Sequence, residues 1–216
     1  MSENVRAEPL SAERAWWLRA ALVLQAPTQV FRALRDESPD DEDARVEPLV
    51  LIGLLAGIGA VLGTSAAGGL LDDPGGGMLV VAAWAIFAGA LYGGVAVLGG
   101  GLLLRWAERR LGGRGSWRRA RHVFGFALAP LALGLVVLWP LRLALYGEDV
   151  FRRGGADSGA TGARVLDALW VSCGLWFLVL LVVGVRAVNG WSWMRSLAGC
   201  ALAAAVPVAI VVLASL

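Results

Sequence analysis

From Pro48 to Leu216 the chain is a succession of five long apolar runs separated by short polar breaks. The runs cover about Pro48–Leu71, Met78–Leu104, His122–Tyr146, Val165–Val188 and Met194–Leu216. An apolar stretch of roughly eighteen or more residues can cross the ~30 Å hydrocarbon layer as a helix. In lipid a helix satisfies all of its backbone groups internally. The pattern therefore predicts an all-α polytopic membrane protein with five transmembrane helices. Pro48 suits the opening turn of the first helix, where its missing N–H costs nothing. Pro130 and Pro140 inside the third run each remove a backbone hydrogen bond and predict kinks.

Residues 1–47 read differently, as a polar to amphipathic cytoplasmic region ahead of the five-helix domain at 48–216. Ser11 can cap a helix through Gln25, with Trp17, Ala21 and Leu24 on one face and the Trp16 and Trp17 rings suited to the headgroup zone. Pro27 restarts the chain as a second short helix. There Val30, Phe31 and Leu34 share one side, while Arg32 and Arg35 can reach phosphates. Such a helix either lies in the membrane interface or packs on the rest of the protein. The acidic stretch Asp36–Pro48 reads as a solvated linker.

Composition agrees with the membrane reading. The chain is 58% hydrophobic and 17% charged, with a mean hydropathy of +0.68, whereas soluble domains carry about 25% charged residues. The net charge of +2 says little, because the charges are segregated. All 19 basic residues are arginine. With the abundant Ala and Gly, this suggests a GC-rich coding sequence and a bacterial cytoplasmic membrane as the location. Seven arginines, Arg105, Arg109, Arg110, Arg114, Arg118, Arg119 and Arg121, crowd the break between the second and third runs. Basic loops stay on the cytoplasmic side. With the N-terminus inside, cytoplasmic segments hold fifteen arginines and external ones only Arg142, Arg152, Arg153 and Arg164. That asymmetry predicts a cytoplasmic N-terminus and an external C-terminus. The N-terminal residues mix acids and bases without an apolar core, unlike a signal peptide, and no soluble domain is expected after the fifth run.

The arginine loop is also the best candidate contact surface. Each basic residue beside an anionic leaflet contributes about 1 kcal/mol, so the seven arginines point to anionic headgroups as a partner; the bland alternative is that they serve topology alone. Glycines recur four apart at Gly53 and Gly57, Gly59 and Gly63, and Gly89 and Gly93, a spacing that lets helix backbones approach closely. They serve packing within the chain or a homodimer face. Ionisable residues inside a bilayer usually mark transport paths, and the middle of every run lacks them. Arg142, Asp167, Arg186 and His122 lie near run ends, where they can reach water. An ion-coupled transporter is thereby disfavoured, though a passive path or lipid groove lined by Thr64, Ser65 and Ser172 stays open.

Catalytic patterns are missing. His122 has no neighbouring Cys, Asp or Glu for a metal site or nucleophilic dyad. Cys173 and Cys200 fall in apolar runs and read as small buried hydrophobes. Asp40, Asp41, Glu42 and Asp43 lack the spacing and glycine of a calcium loop. Gly112–Ser116 lacks the strand and the Lys-Ser/Thr ending of a phosphate loop, and reads as a turn between two interfacial helices. The expectation is no enzyme, no cofactor, no metal and no nucleic-acid partner.

Three segments carry a family likeness. Ala26–Leu34 (APTQVFRAL) places a proline and then a phenylalanine before the first run. Leu111–Pro130 enters the third run through a glycine-bearing loop, the Phe124-Gly125-Phe126 step and Pro130. Val185–Ile210 holds a short turn and a proline-containing last run. In this order the chain resembles the Yip (Ypt-interacting protein) domain family of five-span membrane proteins, in its bacterial form. For eukaryotic members the resemblance implies a cytosolic N-terminus, binding to prenylated Rab-type GTPases and roles in vesicle traffic. Their Asp-Leu-x-Gly-Pro element has no counterpart before the first run here, so no GTPase-binding residue is carried over. The leading expectation is a non-enzymatic membrane-organising or scaffold protein that contacts anionic lipids, with a protein partner or a second copy as further candidates. The rival is a small-molecule transporter or lipid-translocating protein.

Overall fold

The computed structural model describes residues 18, 21–36, 47–72, 77–113 and 116–214, and among these the fold is helical with no strand. In chain order the helices are α1 (Pro27–Asp36), α2 (Glu47–Leu62), α3 (Met78–Arg110), α4 (Trp117–Ala127), α5 (Ala129–Tyr146), α6 (Thr161–Asn189) and α7 (Trp193–Ala214), with short 3-10 turns at Ala67–Gly69 and Gly147–Phe151. Four stretches are long and apolar enough to cross a membrane: Met78–Arg110, Trp117–Phe151, Thr161–Asn189 and Trp193–Ile210.

The first run departs from the expected helix through Leu71, because α2 stops at Leu62. At 1.5 Å per residue its sixteen residues reach only about 24 Å. The stop is chemical. Gly63 weakens the helix, and Thr64 turns its hydroxyl back onto the Val61 carbonyl at 2.7 Å, a side-chain bond that competes with helix continuation. The chain then turns through Ala67–Gly69 and is tied down where Leu71 N–H donates to Phe151 O at 3.0 Å.

Enclosure compensates for this short length. Leu49, Ile52, Ala56 and Val61 of α2 are buried, and the helix packs against α3, α5 and α4. Its closest partner is α3, and glycine makes that approach possible. A Cβ on Gly57 would lie 2.2 Å from Gly89 O, and one on Gly93 would lie 2.1 Å from Gly53 O. Gly59 faces the other way, against the Trp170 ring of α6, whereas Gly63 lies past the helix end and contacts only its own chain. The long helices instead leave Leu79, Phe87, Leu91, Val171, Leu175 and Leu213 exposed. In a membrane protein such outward apolar faces meet lipid.

The third run is two helices. Leu128 is the one non-helical residue between α4 and α5, though its N–H still donates to Phe124 O at 3.3 Å; it stands two residues before Pro130, which has no N–H to give the ladder. Pro140 is accommodated inside α5. The break lets α4 turn inward, and its His122, Val123 and Phe126 are fully buried. Amphipathic α1 docks onto this core with Val30, Phe31 and Leu34 buried; the Phe31 ring lies over Gly184 of α6, where a Cβ would stand 3.2 Å away. The helix expected to start at Ser11 falls largely outside the described residues, of which Leu18, Ala21 and Leu22 are helical.

Candidate functional site

The arginine-rich end of the bundle is built by two helix ends that meet. Arg105, Arg109 and Arg110 ride on the last turns of α3, and Arg118, Arg119 and Arg121 on the first turns of α4, so the true connection is only residues 111–116. Arg114 lies outside the described residues. Ser116 starts α4 as an N-cap, accepting from Arg119 N–H at 3.1 Å. Gly101 lets the two helices close up, since a Cβ there would lie 2.9 Å from Arg121 Cα. Arg109 and Arg110 are exposed and the other four are half-buried. Arg110 lies over the Trp106 ring at 5.6 Å. His122 Nδ1 donates to Arg118 O at 2.8 Å, within the core.

Two features of this end were not singled out in the sequence. Glu108, the single acid between Arg105 and Arg121, is 1% exposed. Asn189 Nδ2 donates to its Oε1 at 2.8 Å, and its Oε2 has no hydrogen-bond partner. The bond ties the end of α3 to the end of α6. The second is the α6–α7 turn. Gly190 takes the left-handed conformation at φ 66° that ends α6, and two arginines stack on two tryptophans around it. Arg186 lies 4.6 Å over Trp193 and Arg195 lies 4.6 Å over Trp191. Arg195 also donates to Leu111 O. The alternation of Arg and Trp in Arg186–Arg195 was the available signal.

Two hollows adjoin at this turn, sharing Gly190 and Trp191: one of about 510 Å³ walled by Arg119, Asn189 and Arg195, and one of about 150 Å³ walled by Thr28, Arg32, Arg35 and Arg186. A third hollow, about 300 Å³, runs as an apolar groove along the α2–α3 seam, with Arg121 at its end.

At the opposite end Arg142 clasps two carboxylates, Asp157 and Asp167, each at 2.7 Å. It borders a cavity of about 760 Å³ with a mixed lining, in which Thr64, Ser65 and Arg153 stand beside Leu62, Trp139 and Trp170. Arg152 donates to Leu71 O at 3.1 Å, and Trp139 stacks on Phe151 at 6.1 Å, so the loop after α5 closes over the end of α2. Among the described residues no group of three or more His, Cys, Asp or Glu could hold a metal ion.

A family model described as Yip1 domain matches residues 21–216. No curated protein and no solved structure matches the chain.

Proposed function

Because the chain belongs to the Yip1 domain family, we propose that it is a non-enzymatic, five-span protein that organises a membrane by holding anionic lipid, and through it a partner protein, against its arginine-rich end. The observation that carries this reading is the union of Arg105, Arg109, Arg110, Arg118, Arg119 and Arg121 on two abutting helix ends. Arginines there add to one another's field and offer forked donors that match phosphate oxygens. Their place on the cytoplasmic side follows from the arginine count, with a cytoplasmic N-terminus, an external C-terminus and α2 as the first crossing. A bacterial cytoplasmic membrane is the proposed setting.

The test is retention of phosphatidylglycerol against phosphatidylcholine by the purified protein, followed by native mass spectrometry. Replacing Arg109, Arg110, Arg118 and Arg119 by Gln is expected to weaken phosphatidylglycerol binding about tenfold, well below the sum of ~1 kcal/mol per residue because not all can reach phosphate at once. Unchanged retention removes the proposal.

One observation favours a second reading, lipid translocation or small-molecule transport: the 760 Å³ cavity of mixed lining at the other end, walled by Thr64, Ser65, Arg142, Asp157 and Trp170. Lipid scrambling or dye flux in reconstituted vesicles above that of empty vesicles is the result that would favour it.

A further inference from the structure

We propose that the paired hollows around the Gly190–Trp191 turn form one binding site for a phosphomonoester, a group carrying two negative charges, gripped by Arg32, Arg186 and Arg195. The proposal deepens the anionic-lipid reading and rests on it for its lipid source, but it moves recognition away from the exposed arginines to a shaped site.

Convergence is the first argument. Arg32 comes from α1, Arg186 from the end of α6 and Arg195 from the first turn of α7, with Arg119 of α4 on the far wall. Three or four helices have folded so that guanidinium groups more than 150 positions apart in sequence, Arg32 and Arg195, border hollows that share two residues. Like charges brought together repel, so an arrangement of this kind is stabilised by an anion between them.

The second argument is how two of the arginines are held. Arg186 and Arg195 rest on the Trp193 and Trp191 faces at 4.6 Å. Stacking fixes the guanidinium plane through the ring quadrupole and uses none of its charge. Arg195 already gives one N–H to Leu111 O, so the fork of Arg186 is the one offered to a bidentate acceptor, which a phosphate supplies. Thr28 adds a hydroxyl for a remaining oxygen. Gly190 keeps the middle open: a Cβ there would meet nothing within 4 Å.

The third argument separates a phosphomonoester from a phosphodiester. A single negative charge needs one forked partner, and the exposed Arg109 or Arg110 offers that. Three guanidinium groups around a common turn match a second charge and a third terminal oxygen. The source is a lipid with a phosphomonoester headgroup, as in phosphatidic acid, or a free phosphate from solution.

The test uses the full-length protein in phosphatidylcholine nanodiscs, with phosphatidic acid, phosphatidylglycerol and inorganic phosphate as separate probes read by native mass spectrometry. The wild-type protein is expected to retain phosphatidic acid at least about tenfold more tightly than phosphatidylglycerol, the value of one to two charge-assisted hydrogen bonds. Equal retention of the two lipids and no binding of inorganic phosphate would overturn the site, whatever the variants do. The pair Arg32→Gln and Arg195→Gln is expected to erase the preference while leaving phosphatidylglycerol binding in place. Arg32→Lys with Arg195→Lys keeps the charge without the fork, and is expected to lose several-fold; it also guards against a variant that fails to fold. Displacement of phosphatidic acid by inorganic phosphate identifies a free-phosphate site, and its absence identifies the lipid; both outcomes support the shared chemistry. If Arg109→Gln with Arg110→Gln abolishes the preference and the Arg32/Arg195 pair does not, the hollow is not the site and the broader lipid reading survives.

Discussion

Arg142 shows how one side chain can join three segments. It reaches Asp157 in the loop after α5 and Asp167 on α6, both at 2.7 Å. The two bonds are unequal, because the Asp157 side chain is 14% exposed and that of Asp167 is 59% exposed. An exposed pair contributes little, about 0.2–1 kcal/mol, while removing the charge of a largely buried partner strips a charge-assisted hydrogen bond worth about 1.5–3 kcal/mol. Asp157→Asn is therefore expected to lower thermal stability in detergent clearly more than Asp167→Asn, and added salt should narrow the difference only slightly. Equal losses would mean that burial does not set the strength of this clasp. In the sequence Arg142 and Asp167 were legible only as residues near run ends, because their partnership depends on which loop folds over them. Glu108 was harder still. An acid among seven arginines looks like a solvated surface residue, and only the approach of Asn189 from α6 gives its buried carboxylate a donor.

Among the helices, apolar run length and glycine spacing carried most of the information. Gly53, Gly57, Gly89 and Gly93 form a seam between α2 and α3 whose closeness has a direct consequence. Gly93→Ala puts a methyl group 2.1 Å from Gly53 O, which backbone atoms cannot yield to without separating the helices. Overpacking of this kind costs roughly 1–3 kcal/mol. Gly94→Ala, one position on, meets nothing within 4 Å and should be neutral or gain up to about 1 kcal/mol from helix propensity. Comparing the two melting temperatures checks the seam itself, since both replacements are chemically the same. The boundaries were less legible, for local reasons. Residues 63–71 are apolar enough to extend the first run, yet the Thr64 hydroxyl ends α2 at Leu62. Arg105, Arg109 and Arg110 looked like loop residues, yet α3 carries them on its own last turns, since arginine is a good helix former and its long stem lets the charge reach water from the helix flank.

At the scale of the whole molecule, the question is whether α2 crosses. Its ~24 Å is short against a hydrocarbon layer of ~30 Å, and half of its residues are buried by α3, α4 and α5 rather than turned to lipid. A helix enclosed by its neighbours need not match the layer: residues 63–66 beyond it are exposed, and further on Leu71 is held by Phe151 while Arg152 bonds the Leu71 carbonyl. Non-helical backbone at membrane depth is tolerated under such cover. If α2 crosses, Ser38, ahead of it in the sequence, and Ser65 face opposite compartments; if it does not, both lie in one compartment and only the four long stretches cross. Single cysteines at these two positions, placed in a protein with Cys173 and Cys200 replaced by alanine, decide between the cases. In intact cells a membrane-impermeant maleimide is expected to label Ser65→Cys and to reach Ser38→Cys only after the membrane is opened. Labelling of both from outside, or of neither, would rule out the five-span arrangement. Labelling of neither would also place the arginine-rich end outside, away from the cytoplasmic leaflet on which the headgroup proposals depend.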